Sequence, residues 1–257
     1  MEKLVSQLSK FESIALDDLT MNTVLNRLDT KYLVMPGQLS QLLNMLSDDF
    51  KILEIDGKRS MAYETKYFDT PDYQLFLDHH NGFDRRIKVR IRSYTDSQLH
   101  YFEVKKKQTG NITIKDRLPI ASPENCLENQ CLELIDYCRI DKNDLQVSLL
   151  NNFDRITLVG KHGKERITID RNIRFENENG VADLRNIIVL ELKQDTLNRQ
   201  SLACKALKKL ALRPDSFSKY AIGIVLTASH HKYNNFRPTL LKVRKLLDQN
   251  HVEHSYA

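Results

Sequence analysis

Between residues 85 and 94 the chain alternates with a period of two: Arg86, Lys88, Arg90 and Arg92 are cationic, while Ile87, Val89 and Ile91 are aliphatic. Successive side chains of an extended chain point to opposite faces, so this segment reads as a strand with one apolar side and one positively charged side. The pattern recurs. Glu103, Lys105 and Lys107 stand against Phe102 and Val104, and Lys115 and Arg117 lie opposite Ile112, Ile114 and Leu118. Arg155 with Thr157, Arg166 with Thr168 and Asp170, and Glu191 with Lys193 repeat it. Six strands of one design predict one sheet whose two faces differ sharply.

Charges at alternate residues sit about 7 Å apart and neighbouring strands about 5 Å apart, inside a Debye length. An antiparallel sheet with one solvated face tolerates this crowding. A sheet that closes on itself instead makes a wet, cationic interior and removes its exposed edges. The ligand that best relieves such an interior is a compact, highly charged oxyanion, because guanidinium groups clamp phosphate oxygens and ammonium groups act as point charges. Glu103, Asp170 and Glu191 stand out on the charged face. They either pair with the cations or hold a divalent metal that bridges phosphate oxygens.

The remaining pattern is α+β. A strand over 28–34 precedes a helix over 38–46 opened by Pro36, with Leu39, Leu42, Leu43 and Leu46 at helical spacing. Asp56-Gly57 predicts a hairpin between 51–55 and 61–69, ended by Phe68-Asp69-Thr70-Pro71. A meander follows over 85–94, 98–107 and 111–120, then a helix over 123–140, a hairpin joining 152–159 to 164–173, and a strand over 187–194. Helices are expected over 198–212, 217–228 and 240–249. Residues 1–257 read as a single domain, with 232–257 a C-terminal helical extension that packs on the body in preference to docking a partner.

Composition excludes several classes. A net charge of +5 does not by itself call for an anionic partner, so the argument rests on where charges sit. No apolar run is long enough to span a bilayer, and residues 1–10 do not resemble a secretory signal. Cys126, Cys131, Cys138 and Cys204 form no C-x-x-C pair; the seven-residue spacing of Cys131 and Cys138 predicts two buried small hydrophobes on one helix face. A reducing cytoplasm suits these cysteines. Gly160 to Gly163 is a turn and not a P-loop, the kinase signatures are missing, and the adjacent pairs His79-His80 and His230-His231 lack ligand spacing. Because the strand cations interleave with aliphatics and not with a stacking platform, no nucleic-acid partner is expected.

Segments in order along the chain carry a family resemblance: Arg27-Leu28-Asp29-Thr30-Lys31-Tyr32, Tyr67-Phe68-Asp69-Thr70-Pro71, Lys88-Val89-Arg90-Ile91-Arg92, Phe102-Glu103-Val104-Lys105, Ile114-Lys115-Asp116-Arg117, Arg166-Ile167-Thr168-Ile169-Asp170, Leu190-Glu191-Leu192-Lys193 and Ser218-Lys219-Tyr220. Over about residues 26–226 the chain resembles the VTC (vacuolar transporter chaperone) domain, the polyphosphate polymerase branch of the triphosphate tunnel metalloenzymes. The resemblance implies a closed eight-stranded antiparallel β-barrel with flanking helices, whose basic interior binds a triphosphate or phosphate chain with Mn²⁺ or Mg²⁺.

It also assigns roles. Arg90, Arg92, Lys105, Lys115, Arg155, Arg166, Ser218 and Lys219 are the implied phosphate-binding residues, and Glu191 the metal ligand. Lys31 positions the terminal phosphate and, with Arg90, Arg92 and Lys219, makes the implied catalytic set. One departure matters: where tunnel triphosphatases carry E-x-E-x-K, this chain has Arg27 and Asp29 before Lys31. The lost carboxylate favours the polymerase branch and leaves Asp29 open as a ligand. The implied reaction moves the γ-phosphoryl group of ATP onto phosphate or polyphosphate. The alternatives are a tunnel triphosphatase and a non-catalytic polyphosphate- or nucleotide-binding module. Coupling to translocation would require a separate membrane partner.

Overall fold

The computed structural model describes residues 2–21, 28–109, 113–124, 129–162, 165–227 and 232–253. Arg27, Ile112, Cys126, Gly163 and the His230-His231 pair lie outside these residues. In chain order the elements are α1 (Glu2–Leu8), β1 (Glu12–Ile14), α2 (Leu16–Met21), β2 (Leu28–Val34), α3 (Pro36–Leu46), β3 (Phe50–Leu53), β4 (Met61–Asp69) and α4 (Gln74–His80). They continue with β5 (Arg86–Tyr94), β6 (Leu99–Lys107), β7 (Thr113–Ile120), α5 (Asn129–Glu133), β8 (Gln146–Gly160), β9 (Arg166–Asn177), β10 (Gly180–Leu184), β11 (Ile188–Gln194), α6 (Leu202–Lys209), α7 (Lys219–Thr227) and α8 (Arg237–Glu253).

Eight strands run in the order β2-β11-β9-β8-β4-β5-β6-β7, every pair antiparallel. The fold is α+β, as the alternation predicts, and the sheet is a strongly curled half-barrel. Closure comes from curvature and not from a hydrogen-bonded seam: among the described residues the end strands β2 and β7 do not pair. Lys31 of β2 nevertheless lies close enough to Lys88 of β5 and Lys105 of β6 to depress the proton affinity of both.

The apolar sides of the strands form the outer wall. Tyr32, Val34, Ile156, Leu158, Ile167, Ile169, Leu190 and Leu192 pack against α1, α3 and α6. Ile87, Val89, Ile91, Phe102 and Val104 pack against Leu75, Cys131 and Ile135. Burial of this kind contributes about 1.5–3 kcal/mol per large aliphatic side chain. Local chemistry starts the helices where expected. Pro36 opens α3 while the Met35 N–H donates to Gln38 Oε1 at 3.0 Å, and Ser201 Oγ caps α6 by accepting from the Cys204 N–H at 3.2 Å.

Helix α7 sits on the other, concave side. Its Tyr220, Ala221, Ile222 and Ile224 share a buried cluster with Leu33, Tyr67, Leu149, Phe153, Ile173, Phe175 and Val189, plugging one end of the curl. Leu240 and Val243 of α8 are buried in the same cluster. Asp69 joins strand to plug. Its carboxylate accepts the N–H groups of Thr70, Leu75 and Phe76 at 2.8, 2.8 and 2.9 Å and the Tyr220 hydroxyl.

Two expectations need correction. Asp56 and Gly57 do turn the chain, at φ 49° and 74°, but β3 and β4 do not form a hairpin. Both pair antiparallel with β8, β3 at Leu158–Gly160 and β4 at Gln146–Arg155, so they run in series along one edge and the turn is an excursion between them. The helix expected over 123–140 is only α5, with 125–128 outside the described residues. Tyr137 and Arg139 both reach Asp78 on α4, the hydroxyl and the guanidinium donating to its carboxylate, which draws the chain away from a helical path. Cys131 is therefore buried and Cys138 exposed. No helix among the described residues is long and apolar enough to cross a membrane.

Gly223 lets α7 approach the sheet: an added Cβ would lie 2.5 Å from Leu149 Cδ2 and 2.7 Å from Phe175 Cδ1. Gly223→Ala is expected to destabilise the protein by about 1–3 kcal/mol through overpacking. Gly37→Ala in α3, where nothing lies within 4 Å, is expected to be neutral or to stabilise by up to about 1 kcal/mol. Thermal melts of the two variants test the contrast.

Candidate functional site

Register decides which charges meet. Residues directly opposite in an antiparallel pair share a face. Starting from Lys31, the pairings Lys31–Glu191, Glu191–Thr168 and Asp170–Arg155 run across β2, β11, β9 and β8. Met61–Arg155, Thr65–Arg92, Arg90–Glu103, Lys88–Lys105, Glu103–Arg117 and Lys105–Lys115 carry the same face across β4 to β7. Lys31, Arg90, Arg92, Lys105, Lys115, Arg155, Arg166 and Glu191 thus all line the concave side. Lys219 and Ser218 reach it from the start of α7.

Three carboxylates partition the cations. Glu103, 1% exposed, accepts Arg90 at 2.6–2.7 Å and Lys115 at 2.5 Å, with Arg117 at 3.7 Å. Asp170 accepts Arg155 bidentately at 2.5 and 2.7 Å and also the Lys219 ammonium. Glu191 lies 3.0 Å from Lys31 and 2.5 Å from Lys193. Burial alone would raise all three carboxyl groups, but the cations around them reverse its effect and hold each well below the ordinary range. The lysines show the opposite balance. Desolvation, only partly offset by Glu103 and Asp170, lowers Lys115 and Lys219 to about 8.

Lys88, Arg92 and Lys105 have no carboxylate within ion-pair reach among the described residues. The Lys88 ammonium donates to Ser218 Oγ at 2.9 Å and sits 3.3 Å from His79 Nε2. Arg92 has a buried Nε with no hydrogen-bond acceptor and lies 5.7 Å from the Tyr63 ring. Burial first, and neighbouring cations second, lower the proton affinity of all three. His79, buried beside four cations, is pushed down to about 2 and stays neutral. Glu103 acts on Arg92, and Asp29 and Glu191 act on Lys105, from beyond ion-pair distance, and they offset the lowering of those two only in part.

The remaining expected residues divide. Arg166 lies at the far end of the lining, where its Nη2 donates to the Leu19 carbonyl of α2 at 3.2 Å. Ser218 caps α7 through the Ala221 N–H at 3.3 Å while accepting Lys88. Lys88 is the residue that sequence reasoning left out of the site, although its alternation with Arg90 and Arg92 places it on their face. His79 and Lys193 were also omitted. For His79 the only signal was the adjacency to His80: neighbours on a helix diverge, so one faces the lining while His80 accepts the Asn235 N–H at 3.3 Å.

No three His, Cys, Asp or Glu groups converge on a cation position among the described residues. Glu191 and Asp29 stand diagonally on neighbouring strands and on one face, since Glu191 pairs with Lys31 and Lys193 with Asp29. Their donors are carboxylate oxygens, which suit Mg²⁺ or Mn²⁺, ions that take one or two carboxylates and complete their shell with water and substrate phosphate.

No curated protein matches the chain. Among solved structures, HpAC1 from Hippeastrum, described as an adenylyl cyclase homologue with a dominant triphosphatase activity, superposes with a TM-score of 0.51 at 16% identity, covering 79% of this chain and 99% of that one. A protein from Bacillus halodurans described only as a candidate adenylate cyclase gives a TM-score of 0.49 at 14% identity, over 75% of this chain and 94% of its own. The Hippeastrum likeness shows a shared triphosphate-tunnel fold. The family model of the VTC domain matches residues 26–228, most of the chain, and the chain belongs to the VTC domain family.

Proposed function

We propose that the curled sheet is a polyphosphate polymerase-like tunnel that transfers the γ-phosphoryl group of ATP onto phosphate or a growing polyphosphate. The carrying observation is the trio Lys88, Arg92 and Lys105, whose charges the protein leaves without a carboxylate beside cations that it neutralises. Like charges placed directly opposite, as Lys88 and Lys105 are, cost stability unless something anionic lies between them. A phosphate chain supplies one such charge or more per phosphoryl unit.

In the transfer, an acceptor phosphate oxygen bonds to the γ-phosphorus as the bond to the β–γ bridging oxygen breaks, and ADP leaves with that electron pair. Charge spreads over the transferred oxygens, so catalysis consists of positioning and electrostatic stabilisation. Arg90 and Arg92 hold the phosphates from β5, Lys105 and Lys115 from β6 and β7, and Arg155 and Lys219 from the opposite wall. Lys31 faces the terminal phosphate. The acceptor is already anionic, so no protein nucleophile is required. A bound Mn²⁺ or Mg²⁺, held by Glu191 with Asp29 beside it, would neutralise phosphate oxygens. The absent first acidic position of E-x-E-x-K weighs against the hydrolytic reading, and a soluble location in the cytoplasm fits the free cysteines.

The purified protein incubated with ATP and Mn²⁺ should yield long phosphate chains on a sizing gel; orthophosphate alone would replace this reading with the triphosphatase. Arg92→Ala or Lys105→Ala should cut chain synthesis by about a hundredfold with an unchanged melt, the scale of losing a preorganised charge at a phosphoryl group. Glu191→Gln should remove the Mn²⁺ dependence while tripolyphosphate still binds without metal, measured by calorimetry. Binding should also weaken as pH rises. Lys115 and Lys219, lowered to about 8, lose their protons through that pH, whereas in the unfolded chain they hold them to about 10.4. Between these values the ligand-free fold gains stability with pH and the tripolyphosphate complex loses it. Affinity unchanged from pH 7 to 9 would show that neither ammonium touches the ligand.

A further inference from the structure

The two ends of the lining differ in chemistry. Toward the starts of β5 and β7 and the end of β6 it is basic, with Lys88, Lys105 and Lys115 in register. Toward the other end of β5 it turns aromatic: Tyr94 lies opposite Tyr63, Tyr101 opposite Arg92, and Tyr63 opposite Phe153. These rings form a continuous wall. Tyr63 stacks on Phe153 at 5.1 Å and 16°, Tyr63 and Tyr94 are 4.9 Å apart, and Tyr94 meets Tyr101 edge-on at 5.8 Å. Arg117 lies 3.3 Å from the Tyr101 centroid and donates to the Tyr94 hydroxyl at 3.1 Å. Tyr63, Tyr94 and Tyr101 are only half-buried, so the wall is open to water on one side.

We infer that this aromatic rim is a nucleobase subsite, and that it fixes the polarity of the tunnel: a nucleoside triphosphate lies with its base on Tyr94 and Tyr101 and its phosphates running toward Lys88. The inference rests on the triphosphate-binding reading above and adds the position of the nucleoside to it. Three facts carry it. First, Arg92, one of the cations without a carboxylate at ion-pair distance, sits directly opposite Tyr101 and 5.7 Å from the Tyr63 ring. Secondly, Arg92 and Tyr94 are two residues apart on one face, about 7 Å, comparable to the span from a base to its α-phosphate. Thirdly, Arg92 to Lys88 covers four residues, about 13 Å, enough for a triphosphate with its terminal phosphate at the basic end. Rings beside a guanidinium attract any heterocycle with a π-face, so the subsite selects for a base without selecting strongly among bases.

The test compares ATP with methyl triphosphate, which carries the same phosphates and lacks the nucleoside, and with tripolyphosphate, all by calorimetry without metal. The wild-type protein should bind ATP about tenfold or more tighter than methyl triphosphate, the scale of one base–ring stack. Tyr101→Leu should abolish that difference and leave tripolyphosphate affinity within twofold, and Tyr101→Phe should restore it. Equal wild-type affinity for ATP and methyl triphosphate overturns the inference, as does a parallel loss of ATP and tripolyphosphate in Tyr101→Leu. If the wild-type protein binds ATP well but not tripolyphosphate, the triphosphate reading falls and this inference with it. Because the first comparison uses the wild-type chain, the answer does not depend on a variant folding.

Discussion

The structure depends on three carboxylates, Glu103 and Asp170 buried and Glu191 partly so, that keep a crowded cationic face from pushing itself apart. Two unit charges 4 Å apart at an effective dielectric of 20 interact by about 4 kcal/mol, so an unrelieved row of cations across neighbouring strands would oppose the curl that brings them together. Each carboxylate spans several elements. Glu103 on β6 holds Arg90 of β5 and Lys115 of β7, Asp170 on β9 holds Arg155 of β8 and Lys219 of α7, and Glu191 on β11 holds Lys31 of β2. Replacing buried Glu103 or Asp170 leaves partly buried cations unpaired, a change that costs up to about 3–5 kcal/mol in fully buried pairs. The same pairings aim the cations, because a bidentate carboxylate fixes the plane of a guanidinium.

The curl has a second requirement, a filled end. A concave sheet lined entirely with charge would have no apolar surface inside to hold its shape. The lining therefore changes character along its length: Leu33, Tyr67, Leu149, Phe175 and Val189 lie at one end, and α7 covers them with Tyr220, Ala221 and Ile222. Gly223 permits the close approach, and the Asp69–Tyr220 hydrogen bond ties the plug to the end of β4. With α7 seated, its first residue, Lys219, is delivered to Asp170. Packing thus sets the position of a charged group in the site.

Much of this was legible in the sequence because a strand's two faces are written at a period of two. Alternation alone identified the charged face of β5, β6, β7, β8, β9 and β11, and hence the convergence of Arg90, Lys105, Arg155 and Arg166 on one side. Pairing order was less legible. Asp56-Gly57 has the chemistry of a hairpin turn, but the fifteen-residue β8 offers room for both β3 and β4 on one edge, and long-range pairing overrode the local signal. Cys131 and Cys138 have helical spacing, yet Asp78 recruits Tyr137 and Arg139 and ends the helix early. The aromatic rim was illegible for another reason. Tyr63, Tyr94, Tyr101 and Phe153 come from four strands, and only the register of β4 with β5 and β8 puts them side by side. A pattern read one strand at a time sees aliphatics between cations and misses rings contributed from across the sheet.

The distribution of unpaired charge would make the proposed tunnel favour chains of phosphate over single anions. Glu103, Asp170 and Glu191 neutralise the walls locally, so a small anion entering the site meets pairs that are already satisfied. Lys88, Arg92 and Lys105 are spread along two strands instead of gathered at one point, with Lys88 braced by Ser218 and a neutral His79. Only an extended polyanion reaches all three at once. On the proposed reading, its binding would relieve the repulsion between Lys88 and Lys105, returning part of that cost as affinity. On the function proposed above, a phosphate chain lying along the lining would complete its charge balance, and the repulsion so relieved would help to hold the reacting phosphates in line.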